Sequence, residues 1–231
     1  MKKMLYKLIC SVLAVSLIAL CFGGCNEDNG ANVYRGSAAT DSTGGSTSTD
    51  SSIITKPLEN VEIPEGKTPY AVIDVKDFGK ITVKLDPKSA PITVSNFINL
   101  AQTKFYDGLT FHRIIEGFMM QGGDPQGNGS GGSDRNIKGE FAQNGVTNNL
   151  SHTRGAISMA RATPPDSGSS QFFIVHKDST FLDGQYACFG YVTEGMDIVD
   201  KVCTTAQPVD DNGTIPASEQ PVINSIKIEY K

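Results

Sequence analysis

The sequence contains no tryptophan and only three histidines, at positions 112, 152 and 176. Their separation gives no zinc-ligand spacing, and no Cys-x-x-Cys pair occurs, so a zinc site or a redox motif has no support. A Gly-rich stretch runs from Asp124 to Gly132, but no Gly-Lys-Ser/Thr follows it, which excludes a P-loop. Gly168-Ser169-Ser170-Gln171-Phe172 lacks the closing glycine of a nucleophile elbow. A Ser-His-Asp hydrolase therefore has no local motif in support. No basic stripe is visible and the formal net charge is −5, which argues against nucleic acid as a partner. Asp210, Asp211, Asn212, Gly213 and Glu219 approach a calcium loop, but Pro208 takes its first ligand position and Pro216 interrupts it. Asn212-Gly213 reads instead as a turn before the last strand.

The apolar run Leu8 to Phe22 is shorter than the roughly 20 residues a membrane span needs. Lys2, Lys3 and Lys7 precede it, as in a signal peptide. The run ends in Phe22-Gly23-Gly24-Cys25, which resembles a bacterial lipobox with Phe22 where an aliphatic residue is usual. That resemblance implies that residues 1–24 are removed and that Cys25 is lipidated, which would anchor the protein to a membrane without spanning it. Ordinary secretory cleavage is the alternative. Either way the expected location is extracytoplasmic, at the cell surface or in the periplasm. Cys10 and Cys21 would leave with the signal peptide. Cys188 and Cys203 could pair in an exported protein, but Cys188 sits in an apolar strand pattern and reads as core.

Residues 25–66 read as a tether. Asn26 to Ser52 is rich in Ser, Thr, Gly, Asn and Asp and has too little apolar surface to fold. A chain of this length has a reach of roughly 35 Å. A folded domain is expected over 67–231. Ala71, Ile73 and Val75 alternate with other residues, Lys76 to Gly79 can turn, and Ile81, Val83 and Leu85 alternate again, which predicts a hairpin. Pro91 can open a helix, and Val94, Phe97, Ile98 and Ala101 follow helical spacing. Strands are expected over 110–115, 118–121, 156–160, 171–175, 187–192 and 222–230, with a loop over 122–133. Met196, Ile198, Val199 and Val202 predict a second helix. Many short strands with two helices fit a closed antiparallel β-barrel.

Four blocks stand out within this frame. They are Phe111-His112-Arg113 continuing to Pro125, Ser158-Met159-Ala160-Arg161, Ser169-Ser170-Gln171-Phe172-Phe173-Ile174, and Phe181-Leu182-Asp183-Gly184. In this order they resemble the cyclophilin family of peptidyl-prolyl cis-trans isomerases, from about Pro69 to the C-terminus. The resemblance implies a mostly β fold, a closed eight-stranded antiparallel barrel with an α-helix over each open end. It implies rotation about X-Pro peptide bonds, with Pro-containing unfolded or exported polypeptides as substrates and a monomer sufficient. No bond breaks in that reaction, so no nucleophile, metal or cofactor is required.

Resonance makes the uncatalysed barrier about 18–20 kcal/mol. An enzyme needs only to bind the twisted amide better than either planar form. At the twist the prolyl nitrogen regains its lone pair and accepts a hydrogen bond. Arg113 matches the family's catalytic arginine, and its always-charged guanidinium offers several donors. Phe118, Met119, Phe173 and Leu182 match the pocket for the proline ring. Phe172 and Phe173 are adjacent in a strand and must face opposite ways, one into the core and one into the cleft; the resemblance assigns Phe173 to the cleft. Gln121, Gln171, Ala160 and Arg161 match positions that hold substrate backbone. Phe181 and Tyr186 complete the set, standing where well-known eukaryotic members carry Trp and His. His112 is expected to face away from the cleft, and Gly122 and Gly123 to allow a tight backbone path. The competing class is a non-catalytic module that binds Pro-containing segments; the joint presence of Arg113, Phe118, Gln121, Phe173 and Leu182 favours the enzyme.

Overall fold

The computed structural model describes residues 53–231. The signal-peptide, lipidation and early tether readings, including Cys25, fall outside the described residues. The described strands are β1 (Ile53–Ile54), β2 (Pro69–Val75), β3 (Gly79–Leu85), β4 (Thr110–Ile115), β5 (Met119–Asp124), β6 (Asn136–Ile137), β7 (Ala156–Met159), β8 (Phe172–Val175), β9 (Ala187–Glu194) and β10 (Ile223–Tyr230). Two helices, α1 (Pro91–Gln102) and α2 (Met196–Thr205), complete the frame.

Eight strands form one antiparallel sheet in the order β10-β2-β3-β9-β7-β8-β5-β4. The sheet curls until its two edges meet. The expected closed barrel is closed only nearly so: β4 and β10 share no ladder, only a bridge at Thr110 and Val222. Single bonds from Phe111 N–H to the Pro221 carbonyl and from Ile223 N–H to the Leu109 carbonyl stitch the seam. Pro221 has no N–H to extend the pairing. A bulge between Ile223 and Ser225 marks where β10 commits to β2.

The hairpin β2–β3 forms as the alternation predicts, with Ala71, Ile73, Val75, Ile81, Val83 and Leu85 all buried. Its turn places Asp77 and Gly79 at positive φ. The helix α1 starts at Pro91 and sends Phe97 into the barrel, where its ring meets Tyr106, Phe172 and Phe189 at 5.2–5.5 Å. Its N-cap residue is Ala90, which has no side chain to cap with. A distant carboxylate does the work. Glu140 accepts from the N–H groups of Ile92 (3.0 Å) and Thr93 (2.7 Å) and from the Thr93 hydroxyl (2.7 Å).

The tether reading fails for residues 53–66. Ile53–Ile54 pairs in parallel with β6, and Leu58, Val61 and Ile63 pack against the core. Leu58 N–H donates to Ser95 Oγ at 2.6 Å, tying the segment to α1. The expected loop also starts later, because Gly122, Gly123 and Asp124 belong to β5. Cys188 and Cys203 are both buried free thiols. Burial pushes each up to about 12, so neither is a ready nucleophile.

Candidate active site

The cleft lies on the outer face of β4, β5, β7 and β8. Strand β5 alternates cleanly: Met120 enters the barrel core, while Met119 joins Phe173 and Leu182 in a second apolar cluster. The adjacent phenylalanines divide as expected. Phe172 is in the barrel core, and Phe173, 5% exposed, floors the cleft.

Strand β4 does not alternate. Phe111 pairs with Gly122 and Arg113 with Gln121, so His112 is an extra residue in a bulge. The bulge sends Phe111 and Ile114 into the core and leaves Arg113 on the cleft side. His112 is buried beneath the following loop, near Gly129, and neither ring nitrogen has a hydrogen-bond partner among the described residues. Burial holds its pKa below the usual histidine value, which favours the neutral ring. The glycines opposite are needed: at Gly123, with φ +82°, a Cβ would lie 2.6 Å from the Ser170 carbonyl oxygen.

A pocket of about 150 Å³ is lined by Arg113, Phe118, Met119, Gln121, Ala160, Arg161, Phe173, Leu182 and Tyr186. A second hollow of about 330 Å³ adjoins it and shares Gln121, Ala160 and Arg161. Gln171 lines this second hollow, together with Gly129 to Ser133, Asn136 and Ser169, which the sequence did not single out. Phe181 is not part of either wall. It stands 65% exposed at the rim, tilted against Phe118 at 5.7 Å.

Arg113 is held at two of its three nitrogens. Nε donates to the Asn212 carbonyl at 2.7 Å, and Nη1 to Gln121 Oε1 at 3.3 Å. Nη2 has no partner among the described residues. The guanidinium carbon lies 6.0 Å from the Phe118 ring centre. Burial pulls the Arg113 pKa down from its ordinary value, with Tyr186 and Asp210 opposing, yet a guanidinium stays charged at any working pH. Gln121 in turn donates to Gln171 Oε1 (2.9 Å), and Gln171 donates to the Gly131 carbonyl (2.7 Å). A line of amides thus runs from the arginine to the loop rim.

That loop is pinned by Asp124. Its carboxylate accepts from the N–H groups of Gln126 (2.8 Å), Asn128 (3.1 Å) and Gly129 (2.6 Å). Burial alone would raise this carboxyl, but the backbone donors outweigh it and hold the pKa below the usual range.

Arg161 is assigned to substrate by resemblance, and the structure gives it a bracing task as well. Its guanidinium sits over the rings of Tyr186 (4.8 Å) and Phe141 (5.0 Å). It donates to the carbonyls of Gln185, Ala162 and Thr163 at 3.0–3.1 Å. The lone carbonyl acceptors of that loop are therefore partly occupied by the protein itself.

One cluster had no signal in the sequence. His152 Nδ1 lies 2.8 Å from Asp183 Oδ1, and its Nε2 lies 2.9 Å from Ser158 Oγ. The His152 ring stacks on Phe173 at 6.0 Å. Burial lowers the His152 pKa against the pull of Asp183. Their spacing along the chain, 152, 158 and 183, matches no hydrolase motif, and only the fold brings them together.

Comparison with known proteins identifies the family. Residues 70–229 match the family model described as cyclophilin type peptidyl-prolyl cis-trans isomerase/CLD. The chain is 45% identical over 152 residues to a peptidyl-prolyl cis-trans isomerase of Helicobacter pylori, covering 64% of this chain and 90% of that one. It is 49% identical over 131 residues to peptidyl-prolyl cis-trans isomerase B of Bacillus subtilis, covering 57% of this chain and 87% of that one. A crystal structure of a Cryptosporidium parvum cyclophilin type isomerase, determined in the presence of the dipeptide Ala-Pro, superposes with a TM-score of 0.61. Its sequence is 28% identical, and the match covers 69% of this chain and 98% of that one. The chain belongs to the cyclophilin-type peptidyl-prolyl cis-trans isomerase family.

Proposed function

We propose that Arg113 is the catalytic group of a prolyl isomerase that acts on Pro-containing segments of exported polypeptides. The supporting observation is a half-buried cation fixed beside an apolar pocket of about 150 Å³, room for one small ring. Phe118, Met119, Phe173 and Leu182 would take the proline ring and exclude water from it. With the ring held, the acyl side of the bond rotates. As the amide twists, its nitrogen becomes pyramidal and gains a lone pair. Arg113 donates to that lone pair, a contact that neither planar isomer offers, so the barrier falls relative to the ground state. Gln121 and Gln171 hold the flanking backbone. The cleft is complete within one chain, which supports action as a monomer.

Lys2, Lys3 and Lys7, the run Leu8 to Phe22 and Gly23-Gly24-Cys25 support export and lipid anchoring at Cys25. The domain would then work at a membrane face, where newly exported chains fold.

The test follows cis-to-trans relaxation of a short X-Pro peptide with the full chain in detergent. Replacing Arg113 by Ala is expected to lower kcat/KM by about 100-fold or more, as for loss of one preorganised charged donor. The fold, read by circular dichroism, should stay. Undiminished acceleration in that variant sinks the mechanism and leaves the binding-module reading.

A further inference from the structure

A turn 99 residues away from Arg113 in sequence holds it. The turn runs from Val209 to Thr214. It is closed by Val209 N–H to the Thr214 carbonyl (2.9 Å) and by Gly213 N–H to the Asp210 carbonyl (3.1 Å). The Asp210 carboxylate accepts from Thr214 N–H at 2.9 Å, which locks it from the side-chain end. The turn is docked on β4 by Ile114 N–H to the Gly213 carbonyl (2.8 Å) and by Ile215 N–H to the His112 carbonyl (3.0 Å). These two bonds flank Arg113 and leave the Asn212 carbonyl aimed at its Nε.

We propose that this turn is a positioning device, in which the Asn212 carbonyl fixes the plane of the Arg113 guanidinium so that Nη2 faces the cleft before substrate arrives. The inference rests on the reading of Arg113 as the catalytic group. A guanidinium is planar, and two anchors at different nitrogens fix both its position and its rotation. Gln121 supplies one anchor, at Nη1 and 3.3 Å, and Asn212 the shorter one. Without the Asn212 acceptor the plane can swing about the Gln121 contact, and a free arginine samples many rotamers. Preorganised donors contribute most when they need no rearrangement at the moment of reaction. Only glycine fits position 213. Its φ is +84°, and a Cβ there would lie 2.7 Å from the Ile114 carbonyl oxygen. The acceptor is a main-chain oxygen, so the identity of residue 212 matters less than the shape of the turn.

The test uses three variants of the full chain. Asp210→Ala removes the lock on the turn. Asp210→Asn keeps a side-chain oxygen for Thr214 N–H and serves as the rescue. Gly213→Ala displaces the turn even if the lock proves dispensable. Two quantities are read: kcat and KM on an X-Pro peptide, and the solvent exchange of the Arg113 Nε–H proton by ¹H–¹⁵N NMR without peptide. Expected are a tenfold or greater fall in kcat at nearly constant KM for Asp210→Ala and Gly213→Ala, with Nε–H exchange at least tenfold faster. Asp210→Asn is expected within threefold of wild type on both. Unfolding midpoints measured alongside separate this from a loss of fold. Wild-type kcat in both disruptive variants, or a freely exchanging Nε–H in the wild type, overturns the proposal. Full activity in Arg113→Ala overturns instead the reading on which it rests.

Discussion

Replacing Glu140 by Ala tests how a fold with an uncapped helix keeps its cleft in shape. The side chain is buried and accepts three hydrogen bonds at 2.7–3.0 Å, two from first-turn N–H groups of α1. Ile92 and Thr93 are buried, so those donors have no direct access to bulk solvent when the carboxylate goes. Each buried donor left unmade costs about 1–3 kcal/mol. The Thr93 hydroxyl can rotate to another acceptor and is left out. The helix loses a negative charge at its positive end, a further 0.3–1 kcal/mol or so. Water entering the space offsets part of the loss, and the sum comes to about 3 kcal/mol. For a domain of this size that lowers the unfolding midpoint by about 6–12 °C. The assay is urea unfolding followed by fluorescence and circular dichroism, comparing midpoints at unchanged slope. The Glu140→Gln variant keeps one carbonyl oxygen and should lose about half as much. The effect should reach the site only weakly, through Asn96 on α1, whose amide donates to the Ser169 carbonyl at the cleft rim (2.6 Å). A loss below 1 kcal/mol in Glu140→Ala would refute the claim that this carboxylate replaces the missing cap.

Acid should destabilise the fold in two stages. Burial depresses His112 and His152 in the folded state, so unfolding takes up protons below the ordinary histidine value of 6.5, and stability falls from there downward. Asp124 is also depressed, so its contribution is full above 3.8 and is lost as pH falls through its lower folded value; a urea midpoint that is flat from pH 8 to 5 would contradict the histidine stage. Phe173→Ala should remove the pocket floor, costing about 3–4 kcal/mol and most of the activity, whereas Phe181→Ala at the exposed rim should change stability by less than about 0.5 kcal/mol and activity only modestly. Similar activity losses in the two variants would show that the rim, not the floor, grips the proline ring. Cys25→Ser should move the protein from the membrane fraction to the soluble one, and continued membrane retention would count against lipidation.

Local patterns in the sequence were enough where each residue reports its own neighbourhood. The hairpin follows from the alternation of Ala71, Ile73, Val75, Ile81, Val83 and Leu85, and α1 from Pro91 and the spacing of Val94, Phe97, Ile98 and Ala101. For the pocket, alternation told only that Phe172 and Phe173 face opposite ways; which of them lines the cleft came from the resemblance. Features that depend on partners far along the chain were not legible. Residues 53–66 carry Leu58, Val61 and Ile63 at no regular period, so composition pointed to a tether although each apolar side chain finds its own seat on the core. Glu140 caps a helix 47–48 residues earlier. Strict alternation in β4 would put Phe111 and Arg113 on one face, and only the bulge at His112 separates them. The Asn212-Gly213 turn was visible as a turn, but nothing local connected it to Arg113.

The cleft wall contains two sets of groups that could do chemistry, and burial decides between them. Asp183, His152 and Ser158 stand in the order of an acyl-transfer triad, at 2.8 and 2.9 Å. A nucleophile must reach its substrate, and Ser158 and His152 are completely buried, with the His152 ring stacked on the Phe173 ring that floors the cleft and Ser158 paired across the sheet with Phe173. Ser158 also sits within β7, where its backbone is committed to the sheet. The Asp183 carboxylate is engaged further by the Ser151 hydroxyl (2.6 Å) and the His152 N–H (2.7 Å), which ties the turn carrying Leu182 to the segment before β7. This cluster therefore supports the aromatic floor and leaves no acid or base free to act. Arg113 has the opposite disposition: it lines the pocket, it is anchored at two nitrogens while its third has no partner among the described residues, and its charge does not depend on pH near neutrality. Rotation about an amide needs no proton to move and no bond to break. An apolar seat for one ring and one fixed donor are sufficient for that reaction, and the accessible part of this cleft supplies both.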